Sequence, residues 1–101
     1  MKANLFRVLG HPARVRILEL LRDGERSVGS LQAELELDSG GTSQHLAALR
    51  RIGLVETRRE GTSVYYRVED RRVFDLLEAG RAIISRQLAE QQSILHELES
   101  S

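Results

Sequence analysis

The sequence predicts a mainly α-helical domain of five helices carrying a single β-hairpin, with a last helix too long for its own subunit. Three patterns carry that expectation. Between Gly40 and Ile52, the residues Leu46, Leu49 and Ile52 recur at three-residue spacing, so one helix face docks while the other stays free. From Leu54 the period changes to two: Val55 and Thr57 lie on one strand, Val64, Tyr66 and Val68 on the next, and Glu60-Gly61 between them. From Val73 to Leu98 apolar residues return at spacings of three and four.

The elements follow in order. Helix one is expected from Ala3 to Leu9, where Gly10 stops it. Pro12 suits the first turn of a second helix, because the N–H it lacks is one that a helix start leaves unpaired; His11 ahead of it reads as the cap. This helix carries Val15, Ile17, Leu18, Leu20 and Leu21 and stops near Asp23-Gly24. Ser27 caps a short third helix to about Glu36, and Leu37-Asp38-Ser39 forms a turn. Ser39 then caps the fourth helix, Gly40 to Ile52, which Gly53 ends in a left-handed conformation. The hairpin runs to Val68, and Asp70 caps a last helix that continues to Leu98. Neither repeats nor a linker interrupt the chain, so residues 1–101 are expected to form a single domain.

With 41% apolar residues, two Phe, two Tyr and no Trp, such a chain builds only a thin aliphatic core. The last helix would be about 40 Å long, against a radius of gyration of about 13 Å for a domain of this size. Much of its stripe therefore cannot be buried within one subunit. The expected remedy is a two-fold partner, with Leu5, Phe6 and Leu9 of the first helix and Leu77, Ile84, Leu88 and Leu95 of the last forming the interface.

The formal net charge is zero, yet the charges are segregated. From Gly40 to Arg72 the cations Arg50, Arg51, Arg58, Arg59, Arg67, Arg71 and Arg72 outnumber Glu56, Glu60, Glu69 and Asp70, while the stretch from Val73 onward is acidic. Local field rather than net charge governs attraction to phosphates, so double-stranded DNA is the expected partner. Ser39, Thr42, Ser43, Gln44 and His45 near the start of the fourth helix suit phosphate and base-edge contacts; His45 could instead tie the helix to a neighbour within the fold. Arg50, and Arg58, Arg59 and Arg67 on the hairpin, suit the backbone, although alternation puts Arg58 and Arg59 on opposite faces. Gly40-Gly41 weakens the helix start by about 1 kcal/mol per glycine relative to alanine, leaving it to be ordered by DNA or letting a phosphate come close.

Several classes are excluded. The chain has no cysteine, which removes disulfides, thiolate metal sites and cysteine nucleophiles. It offers no Ser-His-Asp set, phosphate-binding glycine loop or paired catalytic carboxylates, so no enzyme is expected. Without an apolar run long enough for a bilayer or a signal-peptide pattern, no membrane association and a cytoplasmic location are expected.

Ser43-x-His45-Leu46-x-x-Leu49-x-x-x-Gly53-Leu54-Val55, followed by Arg58-Arg59-x-Gly61 and Val64-Tyr65-Tyr66, resembles the recognition helix and wing of the ArsR/SmtB winged helix-turn-helix repressors. Leu5-Phe6-Arg7-Val8-Leu9-Gly10-His11-Pro12-Ala13-Arg14 with Ile17, Leu18 and Leu21 is similar to that family's opening helices, and Ser27-Val28, Leu31 and Leu35 to its helix before the turn. The likeness extends over nearly the whole chain. It implies a homodimeric, sequence-specific repressor of a palindromic operator, with its two recognition helices in successive major grooves. There are departures. Relatives commonly place polar or β-branched residues where Gly40-Gly41 stands, and the cysteines by which many sense effectors are missing from Ser27 to Leu35. In the family's C-terminal sensing site an Asp-x-His meets a His-x-x-Glu from the other subunit; His96 and Glu99 match the second half, while Ile83 and Ser85 stand where the first would be. His96 and Glu99, with Glu90 and Glu97 nearby, are thus the candidate ligands for nickel, zinc or cobalt as effector. The alternative is control by a regulatory protein partner docking on the last helix, with no metal or small-molecule effector.

Overall fold

The computed structural model describes residues 2–100, Ser39 through its backbone alone. In chain order the elements are α1 (Lys2–Leu9), α2 (Pro12–Leu20), β1 (Arg26–Ser27), α3 (Val28–Leu35), α4 (Ser39–Arg51), β2 (Val55–Glu60), β3 (Ser63–Val68) and α5 (Arg72–Ser100). Residues up to Arg71 form one compact unit, and α5 forms another.

The core of the first unit is aliphatic. Ile17, Leu18 and Leu21 from α2 and its cap, Leu31 from α3, Leu46 and Leu49 from α4, and Val55 from β2 are each at most 2% exposed. Side chains of this kind contribute roughly 1.5–3 kcal/mol each when fully buried, so these few contacts make the unit. Ile52, the last residue of the predicted stripe, caps α4 and is only half-buried. Between α3 and α4 the chain reverses at Glu36, whose φ of 55° is left-handed. A residue with a Cβ loses roughly 1–2 kcal/mol in that conformation, which the surrounding helices must offset.

The sheet is antiparallel, in the order β1-β3-β2. Val55 pairs with Val68 and Thr57 with Tyr66, on the shared face that the alternation assigned them, whereas a turn at Glu60-Gly61 would have paired Val55 with Tyr66 and Thr57 with Val64. Two details differ from expectation. Glu60 belongs to β2 and pairs with Ser63, so the turn is Gly61-Thr62 rather than Glu60-Gly61. Gly61 has a φ of +60° and Thr62 does not have a positive φ, the arrangement of a II′ turn, in which glycine takes the first central position. A turn one residue earlier would force Glu60 into that conformation. The second difference is β1: Arg26 pairs with Tyr66 and Ser27 with Tyr65, a two-residue strand too short to leave a periodic signal. Ser27 also caps α3 as predicted, its Oγ accepting from Ser30 N at 3.1 Å.

The second unit, α5, has 29 residues and is about 43 Å long. It starts at Arg72, which leaves Asp70 one residue ahead of the capping position expected for it. Val73 and Phe74 are buried, while every described residue from Glu78 onward is exposed. Among the described residues, no helix is long and apolar enough to cross a membrane.

Candidate nucleic-acid interface

Capping fixes where α4 begins. Asp38, not Ser39, is the cap: its Oδ1 accepts from Gly41 N at 2.6 Å, and its negative charge also suits the positive end of the helix dipole. Ser39 is instead the first helical residue, and the DNA contact expected of its side chain lies outside the described residues. The cap accounts for one of the paired glycines. A Cβ on Gly41 would stand 3.1 Å from Asp38 Oδ1, whereas one on Gly40 would meet the same atom at an ordinary 3.7 Å.

The sides of α4 differ in kind. Thr42 is fully buried, and its hydroxyl donates to the Asp38 carbonyl at 3.1 Å. It therefore anchors the helix start and cannot reach DNA, contrary to the expectation from its position near the helix N-terminus. Its place one turn before Leu46, on the line of the buried stripe, was the signal that could have shown this. Ser43, Gln44, Ala47, Arg50 and Arg51 are all exposed. They share the outward side, and Arg50 and Arg51 add cations at the end of the helix where the dipole favours them. The helix ends as predicted at Gly53, with φ of +80°. Leu54 N donates to Leu49 O and Gly53 N to Arg50 O, both at 3.0 Å, the paired bonds of a Schellman motif that turns the chain into β2.

His45 takes the inward one of its two predicted roles. It is half-buried; Arg14 Nε donates to its Nδ1 at 3.2 Å, and its ring centroid lies 4.3 Å from that of His11. His11 caps α2 as expected, its Nδ1 accepting from Ala13 N at 3.1 Å. Burial first, then the neighbouring His11 and Arg14, hold the His45 imidazole below the usual histidine range.

On the wing, the predicted arginines separate. Arg58 Nη1 donates to Glu60 at 2.8 Å, its Nε donates to Glu25 at 3.2 Å, and its guanidinium carbon lies 4.7 Å from the Tyr65 ring centroid. Arg67 is paired with Glu56 at 2.6 Å. Exposed ion pairs of this sort add little stability, but they offset the positive charge these arginines would bring to a phosphate. Glu25 lies 33 residues from Arg58, so sequence reasoning missed it. The Arg58 guanidinium holds the Glu25 carboxyl below its ordinary range. Glu56 is likewise lowered, by a hydrogen bond with Glu69 and then by Arg67, and Glu69 is correspondingly raised by Glu56. Arg59 points to the opposite side of the hairpin, where it is exposed and, among the described residues, forms no ion pair. The same holds for Arg50 and for Arg51, which the candidate contacts had omitted.

Of the predicted interface residues in α1, Leu5 and Leu9 are half-buried and Phe6 is 58% exposed. In α5, Leu77 is half-buried, while Ile84, Leu88 and Leu95 are exposed, as are His96 and Glu99.

Two helices joined by a tight turn, the second with a polar outer side and followed by a cationic hairpin, define a winged helix-turn-helix DNA-binding domain. Residues 11–57 match the family described as bacterial regulatory protein, arsR family. The chain is similar to the HTH-type transcriptional regulator Rv0081 of Mycobacterium tuberculosis, with 40% identity over 99 residues that cover 97% of this chain and 87% of the relative. The crystal structure of Rv0081 matches with a TM-score of 0.82 and 42% identity, covering 89% of this chain and 91% of that one. A biofilm growth-associated repressor of Agrobacterium fabrum is 42% identical over 81 residues, 80% of this chain and 69% of the relative. The solution structure of a homodimeric winged helix-turn-helix DNA-binding domain from Mycobacterium bovis matches with a TM-score of 0.75 and 35% identity, covering 85% and 80% of the two chains. The chain belongs to the ArsR/SmtB family and is a DNA-binding transcriptional regulator rather than an enzyme.

Proposed function

We propose that the protein is a homodimeric repressor that binds a palindromic operator, with α4 of each subunit in one of two major grooves about 34–36 Å apart. The observation that supports it best is the division of α4: one side is buried in the core, and the other carries Ser43, Gln44, Arg50 and Arg51, which form no ion pair among the described residues. Ser43 and Gln44 then read base edges, and Arg50, Arg51 and Arg59 engage phosphates. Arg58 and Arg67, paired within the wing, chiefly hold its shape. The dimer is supported by the exposed apolar stripe of α5 and by the homodimeric relative, and repression by the relative named as a repressor.

For the effector, one chain supplies His96 and Glu99, two ligands where nickel, zinc or cobalt take four or more. Among the described residues no three histidine or acidic side chains come together as a metal site. A metal at His96 and Glu99 would need ligands from both subunits, and the operator reading above does not depend on one.

The test is a DNA titration at several salt concentrations with the duplex upstream of the protein's own gene. Gln44→Ala is expected to relax sequence preference, at a cost of roughly 1–3 kcal/mol on the preferred site. Arg59→Ala should weaken all duplexes alike and flatten the salt slope by about one, with a smaller effect from Arg58→Ala. Unchanged binding by both Gln44→Ala and Arg59→Ala would refute the assignment. A monomer that binds DNA only when a second protein is added would transfer the α5 stripe to that partner.

A further inference from the structure

Three helices of the DNA-binding unit meet at one guanidinium. Arg14 projects from α2, donates through Nε to His45 on α4 at 3.2 Å, and reaches the Val8 carbonyl near the end of α1 through Nη1 at 3.5 Å. An arginine side chain can only donate, and so can a backbone amide. The Nδ1 of His45, facing Arg14, and the Nδ1 of His11, facing Ala13 N, must therefore both be without a proton. Two imidazoles stand 4.3 Å apart, each holding a helix through its unprotonated nitrogen.

We propose that Arg14 is a positioning residue for the recognition helix, acting through the unprotonated Nδ1 of His45, and that acid releases this hold and weakens operator binding. A proton on His45 Nδ1 replaces an acceptor with a donor, breaks the bond from Arg14, and sets a second cation against the guanidinium. Among the described residues, the groups that act on His45 are Arg14 of α2 and His11 at its cap, both of which disfavour its protonation; α1 contributes the neutral Val8 carbonyl, to Arg14. The sign follows from the lowered imidazole: the arrangement is complete above the ordinary histidine range and is lost as pH falls beneath that range, through the lowered value of His45.

This inference rests on the reading of α4 as the operator-binding helix, and the experiment separates the two. A duplex selected from a random pool at pH 8 is compared with a scrambled duplex by fluorescence anisotropy from pH 8 to 5.5 at fixed ionic strength. Affinity for the selected duplex is expected to fall roughly tenfold, while the scrambled duplex, held by phosphate contacts alone, loses little or tightens. His45→Gln, whose amide oxygen can accept from Arg14 without titrating, should flatten the profile; Arg14→Gln should bind weakly at every pH. In the free wild-type protein, the NMR titration of His45 should have its midpoint below the usual histidine value. A flat wild-type profile, an equal slope in His45→Gln, or a His45 midpoint at or above the usual value overturns the proposal. Failure to select any duplex at pH 8 would instead overturn the role of α4.

Discussion

The two units of this chain solve the burial problem in opposite ways. Up to Arg71, seven large aliphatic residues drawn from three helices and a strand lose nearly all contact with water, and the polar residues around them are engaged in caps and short networks. In α5, the six large aliphatic residues from Ile83 to Leu98 are 53–68% exposed. The periodicity of three and four is equally clear in both. The difference teaches that an apolar stripe records that something will cover a helix, while the supply of neighbouring elements decides whether the cover comes from the same chain. An exposed apolar stripe of this length is what an association surface requires.

The contrast predicts distinct failures. The largest loss of stability is expected from Leu49→Ala, which opens a cavity at a residue with no exposure and should cost about 2–5 kcal/mol, read from the midpoint of urea unfolding. Replacing both Ile84 and Leu88 with glutamate should leave the unfolding of the first unit nearly intact, convert a dimer to monomers in sizing with light scattering, and reduce operator affinity by roughly 10²-fold, because the second half-site is no longer tethered to the first. Should that variant remain dimeric, the α5 stripe is not the seam. The smallest effect is local to α4: Asp38→Ala should cost about 1 kcal/mol through the lost cap. Stability unchanged by Asp38→Ala would return the capping role to Ser39.

Within the first unit, legibility depended on distance along the chain. The spacing of Leu46 and Leu49, the stop at Gly53 and the alternation that puts Val55 and Thr57 on one strand and Tyr66 and Val68 on the next involve residues whose relation follows from local backbone geometry, and each stands as predicted, although the register of the hairpin does not. Asp38 and Ser39 are adjacent and both good caps, so one residue of register could not be decided from composition. Thr42 shows a different limit. A short polar side chain at the edge of a buried stripe can turn inward when a carbonyl lies within reach, and here the Asp38 carbonyl does.

By itself, the sequence determined the order of the helices and the hairpin, the leucine stripe of α4, the family to which the chain belongs and the excess of apolar surface in its last helix. These depend on periodicity, on turn residues with restricted backbone angles, and on the count of apolar side chains. Only the tertiary structure decided which charges stay available. Arg58 and Arg59 are neighbours with identical side chains, yet one meets Glu25 and Glu60 while the other faces outward without an ion pair among the described residues. The joining of Arg14, His45 and His11 was decided in the same way. Hydrogen bonds and ion pairs act over a few ångströms of space, and residues 31 or 33 positions apart come within that range only after the helices and sheet have packed.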